Sequence, residues 1–85
     1  MQITFKLYAT LANYLPPGSE KHSVKIDIPD TVTPNELIDR YSVPRDMAFL
    51  VLLNGIYLKP EDRDKGIIKD GDILAIWPPV AGGRA

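Results

Sequence analysis

Eighty-five residues without a cysteine fit one small domain and exclude disulfides, thiolate metal sites and a cysteine nucleophile. Hydrophobic residues at 45% and charged ones at 25% describe a folded chain, not a disordered one. Ten Lys plus Arg against eleven Asp plus Glu leave a net charge of −1, without the basic excess of a phosphate-backbone binder, so no nucleic-acid partner is expected.

The opening MQITFKLYAT lacks the basic stretch and long apolar core of a signal peptide. No apolar run approaches the roughly 20 residues of a membrane span. A cytoplasmic protein without a membrane partner is the expectation. Residues 2–8 alternate, with Ile3, Phe5 and Leu7 on one side and Gln2, Thr4, Lys6 and Tyr8 on the other, which predicts a half-buried strand. Thr10 is a candidate cap for a short helical turn through Leu15, broken by Pro16-Pro17-Gly18. Val24, Ile26 and Ile28 then alternate with Ser23, Lys25 and Asp27, predicting a second strand in a hairpin with the first.

Thr33-Pro34-Asn35-Glu36 reads as a helix start. Thr is the N-cap, Pro the first helical residue, and Glu stands at the third position of a capping box. Leu37, Ile38 and Tyr41 form its apolar side and Pro44 its stop. Phe49-Leu50-Val51-Leu52-Leu53 is an apolar run expected of a central strand covered on much of both faces. Asn54-Gly55 predicts a tight hairpin turn into Ile56-Tyr57-Leu58. Glu61 to Gly66 reads as a solvated loop, and Asp70-Gly71-Asp72 as a turn, neither with the ligand spacing of a metal site. Ile73 to Trp77 is the final strand, ended by Pro78-Pro79.

One sheet face must bury against one helix. The simplest arrangement sets the first and last strands side by side with the helix across them. This is an α+β fold of the ubiquitin-like β-grasp type, a mixed sheet of about five strands on one main helix. The expected division is a folded domain over 1–77, a tail over 78–83 and an extension over 84–85. Tyr8, Tyr57 and Trp77 are expected on the sheet face away from the helix, as a partner patch or as cover for the sheet edges.

No side-chain enzyme emerges. His22, the one histidine, has no serine or cysteine partner at motif spacing and reads as an exposed loop residue. Asp27, Asp30 and Asp39 read as solvent-facing. Gly82-Gly83 opens no helix, so it is no phosphate loop. On composition alone the glycine pair is as readily a flexible linker as a reactive tail.

The stretch from Ile68 to Gly83 resembles the closing motif of the ThiS/MoaD family of sulfur carriers. Its Pro78-Pro79-Val80-Ala81-Gly82-Gly83 ending is most similar to the molybdopterin synthase small-subunit branch. The opening strand, the capped helix and the Leu52-Leu53-Asn54-Gly55 hairpin fit too, so the resemblance covers essentially 1–83. It implies a non-catalytic carrier whose Gly83 carboxylate is adenylated by an E1-like adenylyltransferase. That partner, not this chain, uses ATP and Mg; the carrier binds no cofactor and no metal. The product is a thiocarboxylate that donates sulfur in molybdenum or tungsten cofactor synthesis. Ala81, Gly82 and Gly83 would thread the partner's channel, where a Cβ on either glycine would crowd the approach. Tyr8, Tyr57 and Trp77 match the surface that docks the E1-like enzyme and the molybdopterin synthase large subunit or another sulfur-acceptor enzyme. The chain departs from the pattern by continuing past Gly83 to Arg84-Ala85. The resemblance therefore implies cleavage between Gly83 and Arg84, by a JAMM-type protease in some relatives. Sulfur delivery for thiamine or another metabolite, conjugation to lysines, and a plain interaction module stand as alternatives.

Overall fold

A computed structural model describes residues 1–79. Five strands, β1 (Gln2–Leu7), β2 (Ser23–Asp27), β3 (Leu50–Leu53), β4 (Ile56–Tyr57) and β5 (Ile73–Trp77), form one sheet in the order β2-β1-β5-β3-β4. β1 and β5 run parallel at its centre, with Phe5 opposite Leu74 and Leu7 opposite Ile76; the other pairings are antiparallel. The α+β β-grasp arrangement expected from the element order is therefore the one observed.

Alternation decides the two faces. Ile3, Phe5, Leu7, Val51, Leu74 and Ile76 point to the helix side and are essentially inaccessible, packed with Leu37 and Ile38 of α1 (Pro34–Arg40) and with Leu11. The helix starts as its sequence predicts. Thr33 Oγ1 accepts from the Glu36 amide at 3.1 Å, and Glu36 Oε1 accepts from the Thr33 amide at 2.9 Å. It ends earlier than the Pro44 reading. Ser42 takes φ 62°, its amide donates to the Asp39 carbonyl and the Val43 amide to the Ile38 carbonyl, a Schellman closure that seats Val43 in the core.

Three other expectations need correcting. The turn after β1 is a 3-10 helix over Ala9–Tyr14, with Tyr8 at its N-cap and no side-chain cap, so Thr10 does not cap it. Ala9 makes the corner with φ 52°. The 49–53 run is not the sheet's centre: β3 lies one strand in from the β4 edge, and β5 takes the central place. It is also covered on one face only, because α1 lies on one side. Val51 is buried, Leu50 and Leu52 half-buried, and Phe49 is 64% exposed. Finally, the polar stretch 61–66 is exposed except at Asp62, which is half-buried, and at Arg63, which is buried.

The Asn54-Gly55 turn is confirmed, with both residues at positive φ (52° and 82°). Asn54 also ties it to β5: its Nδ2 donates to Asp72 Oδ1 and its Oδ1 accepts from the Ile73 amide, each at 2.9 Å.

Candidate docking face and tail

The face of the sheet opposite α1 carries Lys6 and Tyr8 from the first strand and its end, Lys25 from β2, Ala75 and Trp77 from β5, Leu50 and Leu52 from β3, and Tyr57 from β4. The parallel register of β1 and β5 continues one residue past Leu7, where the Tyr8 amide donates to the Ile76 carbonyl at 3.0 Å. Tyr8 therefore lies beside Trp77. Their rings stack with centroids 4.2 Å apart and planes 1° from parallel, and the exposed His22 ring stacks on the other side of Tyr8 at 5.1 Å. Aromatic pairs in this arrangement gain stabilisation beyond the area they bury.

Tyr57 shares the face but not the stack. Its partner across the ladder is Leu52, which in turn sits opposite Ala75, so an aliphatic strip separates it from Trp77. It is half exposed, and the Arg63 guanidinium lies over its ring at 5.8 Å from the centroid. That guanidinium donates to the carbonyls of Leu58 (3.0 Å), Ala48 (3.1 Å) and Phe49 (3.3 Å). Of the three aromatics expected to form one patch, two meet and the third begins a separate end of it.

The sequence marks His22 only as an exposed loop residue and gives Lys6, Lys21 and Arg63 no role. The first three were legible as outward or loop positions, but the ring stack and the groove they line depend on how the 16–22 loop folds back onto β1. Asp39 and Asp62 are held below the ordinary carboxylate value by hydrogen bonds and charge from Arg45 and Lys65 respectively. Each belongs to a surface ion pair with a single cation, not to a catalytic cluster. Among the described residues no group of His, Cys, Asp and Glu is arranged to hold a metal, and no helix is long and apolar enough to cross a membrane.

β5 ends at Trp77, at the aromatic end of this face, and Pro78-Pro79 follow directly. The expected reactive residues Ala81, Gly82, Gly83 and Arg84 lie outside the described residues.

A mixed five-stranded sheet packed on α1, with its first and last strands parallel at the centre, defines the class of ubiquitin-like β-grasp proteins. Within that class the chain belongs to the ThiS family, whose model matches residues 6–83. Among solved structures it is similar to SAMP1 from Haloferax volcanii, at 26% identity and a TM-score of 0.66, covering 98% of this chain and 100% of that one. The HVO 2177 protein of the same organism shares the fold, with a TM-score of 0.74 at 23% identity over 98% of this chain and 87% of that one. No curated protein matches the chain significantly in sequence.

Proposed function

We propose that this protein is a non-catalytic sulfur carrier that works through the carboxylate of Gly83, exposed by removal of Arg84-Ala85. The carrying observation is that the family match runs through Gly82-Gly83, its last two positions. A carboxylate is a poor electrophile at neutral pH. An E1-like adenylyltransferase would let a Gly83 oxygen attack the α-phosphorus of ATP, with Mg, releasing pyrophosphate and leaving an acyl adenylate. Sulfide then attacks the acyl carbon, AMP departs with one former carboxylate oxygen, and a thiocarboxylate remains. As a peptide, Gly83 has no such oxygen to offer, so cleavage between Gly83 and Arg84, by a JAMM-type protease, must come first. Ala81, Gly82 and Gly83 are the residues that thread the partner's channel, and Tyr8, Trp77 and Tyr57 supply the docking face. The Pro78-to-Gly83 ending favours molybdopterin synthesis as the destination, with the synthase large subunit as acceptor.

The test compares the 1–85 and 1–83 chains with the adenylyltransferase, ATP, Mg and sulfide, following pyrophosphate release and intact mass. Release and oxygen-to-sulfur exchange on 1–83 alone are expected. Equal reaction of both chains would remove the processing step, and reaction of neither would remove the carrier reading. Lysine adducts in place of the thiocarboxylate would assign the chain to protein modification. Failure of thiocarboxylated 1–83 to convert the precursor held by the synthase large subunit would redirect it to thiamine or another sulfur pathway.

A further inference from the structure

The sheet face opposite α1 is charged as well as aromatic. Lys6, paired with Ser23, and Lys25, paired with Thr4, share the outward parity of Tyr8. Lys21 joins Lys6, Tyr8, Glu20, His22 and Ser23 around a shallow groove of about 400 Å³ beside the ring stack. The ion pairs among the described residues join the Met1 amino group to Asp30, Arg45 to Asp39 and Lys65 to Asp62. None takes up Lys6, Lys21 or Lys25. Three carboxylates stand nearby: Glu20 in the same groove, and at the far end Asp27, opposite Gln2, and Asp70, whose Oδ1 accepts from the Gln2 amide at 2.7 Å. The end of the face that holds the stacked rings, with Lys6 and Lys21 against Glu20 alone and Lys25 next along β2, therefore carries a local positive excess on a chain whose net charge is −1.

We infer that this face docks a protein surface that presents an apolar anchor flanked by carboxylates. The anchor packs on the Trp77 and Tyr8 rings and the half-buried Leu50, and the carboxylates lie over Lys6, Lys21 and Lys25. Ammonium groups left unpaired at a surface, as at exposed Lys21 and Lys25 and half-buried Lys6, contribute little to a domain's own stability. Around an apolar centre they speed encounter with an oppositely charged surface and reject a basic one. The inference rests on the carrier reading for the partner's identity and specifies the chemistry that the adenylating enzyme must bring.

The test uses the 1–83 chain and the E1-like enzyme of the same organism, with association and dissociation rates measured at low and high NaCl. Wild-type association should slow by about tenfold or more as salt rises, because exposed charges are screened beyond the Debye length. The triple variant K6E/K21E/K25E should associate about tenfold more slowly at low salt, with its salt dependence abolished or reversed and its dissociation rate little changed. K6Q/K21Q/K25Q should fall between the two, which separates lost attraction from added repulsion. Unchanged far-UV circular dichroism and melting temperature keep the comparison on the surface. Adenylation of wild type with unaltered association and salt slope in both variants overturns the acidic-partner inference and leaves the carrier standing. Neither binding nor adenylation of wild-type 1–83 overturns both.

Discussion

Arg63 carries a permanent charge to a position only 8% exposed, where main-chain carbonyls receive it. Those carbonyls belong to Ala48 and Phe49, just before β3, and to Leu58, just after β4, so one side chain pins both open ends of the hairpin. The Phe49 amide in turn donates to the Trp77 carbonyl at 3.1 Å, which connects the clamp to the root of the tail. A planar guanidinium can serve three acceptors in different directions, whereas an ammonium on a flexible stem cannot hold that geometry. Arg63→Met keeps most of the apolar stem and removes the donors. It should lower unfolding stability by about 2–4 kcal/mol in urea denaturation, and Arg63→Lys should recover less than half of that. A loss below about 0.5 kcal/mol for the methionine variant would show that water replaces the clamp. Nothing in Glu61-Asp62-Arg63-Asp64-Lys65 distinguishes the buried residue from its neighbours. Local composition averages over the run, and the burial is created by strands that lie elsewhere in the chain.

At the scale of elements, local chemistry was legible and closures were not. The start of α1 depends on residues within four positions of each other, so Thr33, Pro34 and Glu36 declare it directly. Its end depends on a serine accepting a left-handed conformation so that Val43 can reach the core, and a serine announces no such turn. The same holds after β1, where Ala9 turns the corner with no cap from Thr10. The alternation of β1 and β2 fixed which side chains face the helix, whereas the apolar run at 49–53 could not reveal that only one face is covered. Because α1 is seven residues long, its first-turn bonds are a large share of what holds it. Thr33→Ala should cost about 1 kcal/mol, read as a lower urea midpoint with unchanged slope, and Thr33→Ser should be nearly neutral. Loss of equal size in both would mean that the methyl group's packing, not the cap, is what matters.

For the whole molecule, the topology brings the proposed docking face and the Pro78-Pro79 segment to one end. The central strand β5 carries Trp77 on the proposed docking face and ends directly before Pro78-Pro79, so a partner gripping the rings would also hold that base. Two prolines restrict that base to extended conformations. This arrangement separates Trp77's contributions. To the fold it gives a stacked pair and part of one face of β5, while the strand's core contacts come from Leu74 and Ile76 on the opposite side. Trp77→Ala should therefore lower stability by only about 1–2 kcal/mol. To a partner it offers the kind of large, rigid anchor whose truncation costs 2 kcal/mol or more at protein interfaces, roughly thirtyfold in affinity. Binding to the adenylating enzyme should thus weaken about thirtyfold or more while the variant stays folded at assay temperature. Tyr57→Ala, at the other end of the face, should weaken binding less, because Tyr57 stands apart from the stack behind Leu52. If Trp77→Ala destabilises the chain as much as it weakens binding, the rings merely cover the sheet. The docking face would then have to be sought elsewhere.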